Sequence, residues 1–127
     1  MALLNDVRAR LVALSLVEGG TGWSCYIDRS PDTQDQVVVL EDTGGFPDAH
    51  KGQHRYPTFK LSVRAAKHDY GTARVKWDAI YSALNGVPWT GATTTGHLME
   101  AMQSGPIPLP DGNDRPVLSV NFRAIHS

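Results

Sequence analysis

Residues 58–65 read Thr-Phe-Lys-Leu-Ser-Val-Arg-Ala, so Phe59, Leu61, Val63 and Ala65 alternate with Thr58, Lys60, Ser62 and Arg64. Unbroken alternation of this kind has the two-residue period of a strand with one buried and one wet face. The end of the chain repeats the pattern, with Leu118, Val120, Phe122 and Ala124 set against Ser119, Asn121 and Arg123. Two half-wet strands call for a sheet with helices on one side and water, or a partner, on the other.

The rest of the chain supplies those layers. Leu3, Leu4, Val7, Leu11 and Leu14 recur at helical spacing, with Asp6, Arg8, Arg10 and Ser15 on other faces, and Gly19-Gly20-Thr21-Gly22 stops the helix. Trp23–Ile27 is a short aromatic strand closed by the turn residues Ser30-Pro31-Asp32, and the run Val37–Leu40 fits a central strand. A second helix is expected from Gly71 to Leu84. Ala73, Trp77, Ile80, Tyr81 and Leu84 make its apolar stripe, Asp69 its cap, and Asn85-Gly86 with Pro88 its stop. Residues 97–103 suit a strand or a helical turn equally. Gly105–Pro116, with Pro106, Pro108, Pro110 and Pro116, is expected to be an extended loop or sheet edge. The expected fold is therefore a single α+β domain over residues 1–127: a mostly antiparallel sheet with two helices on one face, in the order α-β-β-β-α-β-β.

At 127 residues and 41% apolar composition, such a chain can bury a core without metal or disulfide. Twelve basic residues against thirteen acidic ones remove the long-range attraction behind non-specific nucleic-acid binding. The lone Cys25 points to a reducing compartment. Arg8, Arg10 and Asp6 interrupt the Leu-rich start, so it does not read as a signal peptide, and no run is long enough to span a membrane. A soluble protein made in the cytoplasm is expected.

No constellation in the sequence carries chemistry, and the chain is expected not to be an enzyme. Asp48, His50 and His54 form D-x-H-x-x-x-H, but imidazoles four apart converge only on a helix, and Gly44, Gly45, Pro47, Gly52 and Pro57 break any helix there. Cys25 lies inside a predicted strand, where a thiol acts as a small apolar group. Gly19–Gly22 follows a helix and lacks the Lys-Ser/Thr of a phosphate loop. Lys60, Arg64 and Arg123 make at most a weak basic patch on a solvated sheet face. Neither catalytic, metal nor cofactor residues are assigned. Two segments call for another explanation. A loop from Asp42 to Pro57 is longer than a compact domain normally leaves unstructured, and it carries Phe46 and Tyr56. Gly86–Thr95 holds Val87 and Trp89 among small polar residues. Both read as surface that is covered by another chain, with Phe46, His50, His54, Tyr56 and Trp89 as the expected contacts.

The order of these pieces resembles the tail-terminator and minor capsid proteins of long-tailed (siphovirus-type) bacteriophages. The likeness rests on the opening helix, the strand Gln36-Val37-Val38-Val39-Leu40-Glu41, and the strand Tyr56–Ala65 running into the helix that ends Leu84-Asn85-Gly86. It extends to Gly105-Pro106-Ile107-Pro108-Leu109-Pro110, Asp114-Arg115-Pro116 and Ser119-Val120-Asn121-Phe122; Pro110-Asp111-Gly112-Asn113 departs from it. The resemblance implies a virion structural protein that forms a six-fold homo-oligomeric ring at the head-proximal end of the tail tube. Its partners would be the tail tube protein and the head connector or stopper, with DNA passing transiently through the lumen and no membrane involved. A head-tail joining (neck) or head-completion protein is the alternative, and a small metal-dependent hydrolase using the loop histidines ranks below both.

Overall fold

The computed structural model describes residues 2–29, 33–46, 56–86, 89–90, 95–109 and 111–126. The chain runs α1 (Ala2–Ala13), β1 (Ser24–Ile27), β2 (Val37–Phe46), β3 (Tyr56–Arg64), α2 (Tyr70–Leu84), β4 (Trp89–Thr90), β5 (Thr95–Ala101), β6 (Ile107–Leu109) and β7 (Val117–His126). The strands form one mixed sheet in the order β1-β2-β3-β7-β5-β4, with β6 also paired to β7. Every pairing is antiparallel except β1 with β2. Two α-helices and a mostly antiparallel sheet are thus present in the expected order, with β4 and β6 added as short strands. Of residues 97–103, open between strand and helix in the sequence, 97–101 are strand, as the second part of β5.

Alternation fixes the covered face. Phe59, Leu61 and Val63 of β3 lie opposite Phe122, Val120 and Leu118 of β7, and all are fully buried or nearly so. Phe59 stacks on Phe122 with ring centroids 5.4 Å apart. Cys25, Val38, Leu40, Met99 and Ala124 extend this face across the sheet, and Leu3, Leu4, Val7 and Leu11 of α1 with Ala73, Trp77, Ile80 and Leu84 of α2 close over it. Asp69 caps α2 by accepting from the Thr72 N–H at 3.3 Å. At the other end Asn85 caps the helix, and Gly86 takes the positive φ (+73°) that favours glycine after a helix.

The helix α1 stops earlier than its leucine spacing implies. Leu14 lies beyond it and is 44% exposed, whereas Asp6, expected on a wet face, is buried. Tyr81 is only half-buried at the margin of the α2 stripe, stacked on Trp77.

Where the segment expected to be a loop from Asp42 to Pro57 is described, at residues 42–46 and 56–57, it is strand. β2 continues to Phe46 and β3 starts at Tyr56, paired Phe46 to Tyr56 with a bulge between Asp42 and Gly44. Glycine-rich sequence misled the expectation, because Gly44 serves the bulge at φ +96° while its neighbours keep the ladder. The proline-rich stretch 105–116, expected to be an extended loop or edge, contains the short strand β6, paired only with β7. Pro108 lies opposite Leu118 and has no N–H, so the ladder to β7 is carried by the residues on either side of it.

Candidate assembly surface

Chemistry of a catalytic kind finds little support among the described side chains. Cys25 is buried in the core, and loss of solvation pushes its thiol pKa up to about 12, which keeps it from being a thiolate nucleophile. Among the described residues no three His, Cys, Asp or Glu side chains are grouped to hold a metal. Asp48, His50 and His54 lie outside the described residues.

The polar side chains instead organise the two ends of the sheet. One end is where β2 begins at Val37, opposite Arg64, which in turn lies opposite Val117. Here the loop after β6 and the connection from β1 to β2 are tied together by Arg115, whose side chain is 3% exposed. Arg115 Nε donates to Asp111 Oδ2 at 2.9 Å, the Arg115 backbone N–H donates to the same oxygen at 3.2 Å, and Nη1 donates to the Gln34 carbonyl at 3.3 Å. Asp35 stands 3.6 Å away as a second, more exposed counter-ion. Arg64 also donates to the Gln34 carbonyl. The guanidinium of Arg115 holds the Asp111 carboxyl below the usual carboxylate range. Gln34 reaches across to Ser24 and Tyr26, with both contacts at 2.6 Å, so the β1–β2 connection lies over the sheet face away from the helices. This cover explains why Val37, on that second face, is fully buried.

Register confirms that Lys60, Arg64 and Arg123 share the second face, since Lys60 lies opposite Asn121 and Thr58 opposite Arg123. Two of its three cations are neutralised where they stand. Lys60 pairs with its cross-strand neighbour Glu41 at 3.5 Å, and Arg123 with its neighbour Glu100 at 3.0 Å. A face built this way does not concentrate positive charge for nucleic acid.

Strand edges decide where another chain can attach. On β1 the outward groups of Cys25 are occupied by side chains: its N–H donates to Glu18 Oε1 at 3.0 Å, and its carbonyl accepts from Arg8 Nε at 3.2 Å. Arg8 and Glu18 pair with each other at 3.1 Å. On β5 the end of α2 plays the same part. The Ala101 N–H donates to Asn85 Oδ1 at 2.8 Å, and the Met99 carbonyl accepts from the Gly86 N–H at 2.7 Å. On β6, Pro108 leaves the outer edge without a donor at its centre.

The opposite end of the sheet is different. There β2 and β3 run on past β1, which ends opposite Leu40, and past Thr58, the last β3 residue paired to β7. Asp42, Thr43 and Gly44 are exposed. β4 lies at this same end, because Trp89 pairs with Gly96 and Gly96 pairs with His126 at the end of β7. Phe46, Tyr56 and Trp89, from two segments more than thirty residues apart in sequence, are therefore brought to one end by the backbone. His50 falls with His54 in the undescribed stretch joining Phe46 to Tyr56. Sequence reasoning missed Arg115 as an anchor. The Asp111-to-Arg115 spacing was visible, but only folding brings Gln34 and Asp35 to it.

The model of the family "Bacteriophage tail terminator protein" matches residues 5–126. No curated protein sequence matches the chain. Among solved structures, a chain of the virion of a native gene transfer agent particle matches with a TM-score of 0.72 at 20% identity, covering 98% of this chain and 94% of that one.

Proposed function

The chain belongs to the bacteriophage tail terminator family, and with it to the structural proteins of the virion tail; from that premise we propose that six copies form a ring that caps the head-proximal end of the tail tube and joins it to the head connector. The hairpin of β2 and β3 carries this reading. It outruns β1 on one flank and continues past its last pair with β7 on the other, at the end of the sheet that also holds β4, while the opposite end is closed by Arg115. An exposed arm of this kind suits contact with a second chain better than a solitary fold. Phe46, His50, His54, Tyr56 and Trp89 are its proposed contact residues, with the 127 residues acting as one domain. The near-balanced charge suits a ring through whose lumen DNA passes without being held. The protein would be made in the host cytoplasm and carried in the neck region of the virion, with tail tube protein on one ring face and connector on the other.

Native mass spectrometry of the pure protein, alone and mixed with tail tube protein, tests the proposal. A mass of six chains that takes up tube protein is expected. A monomer in both samples at assembly concentrations would overturn it.

A further inference from the structure

We propose that neighbouring copies are joined by strand pairing between the β2 edge at Asp42–Phe46 of one copy and the β4 edge at Trp89–Thr90 of the next, so that the sheet continues from copy to copy. The inference rests on the ring reading and deepens it. Its first support is a process of elimination along the sheet. The outward groups of β1 at Cys25 are taken by Glu18 and Arg8, those of β5 at Met99 and Ala101 by Gly86 and Asn85, and β6 is interrupted by Pro108. Among the described residues the part of β2 beyond Leu40 and the outer side of β4 carry no such closure.

The phase of the β2–β3 ladder supplies the second support. Gly45 lies opposite Pro57, and proline has no N–H to give. The pair is therefore of the non-hydrogen-bonded type, and Gly45 directs its own N–H and carbonyl away from β3, toward the bare edge. Glycine at that position lets another backbone approach closely. The same Pro57 leaves β3 without a donor on its other flank, so the hairpin is open on one side only. The described residues that follow β1 turn onto the second face instead. Asp28, at φ +76°, donates its N–H to the Leu40 carbonyl, and with Arg29 it then lines a trough on the second face beside Glu41 and Lys60.

The third support is symmetry. The two open edges lie at the same end of the sheet and on opposite flanks of it. An interface between unlike patches repeats head to tail and closes into a ring when its rotation allows, and each copy then covers the edge left by the next. Self-pairing of like edges would give a two-fold dimer instead.

The test uses the full chain with Gly45→Pro, which removes one outward N–H and leaves the β2–β3 ladder its bonds. A second variant carries Gly45→Cys together with Thr90→Cys. Circular dichroism and thermal melting first establish that each variant folds as the parent does; Gly45→Ala serves as the control if the proline variant does not. Loss of the six-chain mass in Gly45→Pro, or an increase of about tenfold or more in the concentration for half assembly, is the expected result. Disulfide-linked multimers of the double-cysteine chain, absent from either single variant, are expected alongside. Rings of unchanged affinity without cross-links overturn the edge pairing and leave the ring reading standing. Parent protein that never assembles removes both, and cross-linked dimers that do not extend further point to like-with-like pairing and also overturn the inference.

Discussion

Around Arg115 the sheet ends in a knot of internal bonds, in which one buried guanidinium reaches Asp111, Asp35 and the Gln34 carbonyl. Around Gly45 the same β2–β3 ladder runs on past the end of β1 and past its own last pair with β7. Both ends face the same difficulty, since a strand that stops leaves backbone donors and acceptors to be satisfied. Side chains and loops of the same chain solve it at the first end. At the second, no described residue outside β2 and β3 does so. On the proposed reading, the first end keeps the protein folded and the second is what it offers outward, so each should be alterable without the other.

The largest effect should come from the layer that supports both ends. Trp77 is 2% exposed on α2 and stacked on Tyr81 at 5.0 Å, so Trp77→Ala is expected to cost about 3–5 kcal/mol in urea unfolding. A cost below about 1 kcal/mol would mean that α2 does not hold the sheet and that the two ends are not carried on one core.

Arg115→Ala comes next and sharpens the comparison directly. It strips Asp111 of its partner in a place where both side chains are largely shielded, for an expected loss of about 2–4 kcal/mol. The same substitution should leave the assembly mass of the still-folded protein unchanged. Loss of assembly at unchanged stability would reverse the roles assigned to the two ends.

Acid should weaken the closed end first. The pKa of Asp111 is depressed by its hydrogen bonds to Arg115, so its contribution is fully present above the unfolded value, near 3.9. As pH falls below that value the unfolded state takes up the proton before the folded one, and stability declines until the folded group is protonated too. Asp111→Asn should cost about 1–2 kcal/mol at neutral pH and flatten that part of the stability profile. An unaltered acid limb would show that the ion pair contributes nothing at this end.

The smallest effect on stability should follow from cutting back the open end. Replacing residues 47–55 with Asn-Gly, a turn suited to joining two antiparallel strands, should shift unfolding by no more than about 1 kcal/mol in either direction. Assembly, measured on the same sample, should weaken through loss of the proposed contacts His50 and His54 while the Asp42–Phe46 and Trp89–Thr90 edges stay in place. A large loss of stability with assembly intact would make the hairpin an internal brace.

Much of the fold was legible because it depends on local periodicity. The alternation at Phe59, Leu61 and Val63 and at Leu118, Val120 and Phe122 dictated which face is buried, and the spacing of Ala73, Trp77, Ile80 and Leu84 dictated the covering helix. Asp69 and Asn85-Gly86 marked the ends of that helix through their own backbone preferences. The proposed contact residues stood out only as anomalies, ring-bearing side chains in segments that composition made look like loops.

The remaining features depend on which strands become neighbours, and no local pattern encodes that. Asp42–Phe46 was misread because glycine is penalised in an isolated strand, whereas pairing with Tyr56–Thr58 supplies the hydrogen bonds that hold it extended. Lys60 and Arg123 looked like a basic patch until register set Glu41 and Glu100 opposite them. Arg115 was one cation in a proline-rich loop until folding set it against Gln34 and Asp35, some eighty residues earlier in the chain. The sequence by itself determined the faces of the strands and helices, because side-chain period and capping act over a few residues. Only the tertiary structure decided which edges are closed and which stay open, because a backbone donor is satisfied by whatever group the rest of the chain brings within about 3 Å of it.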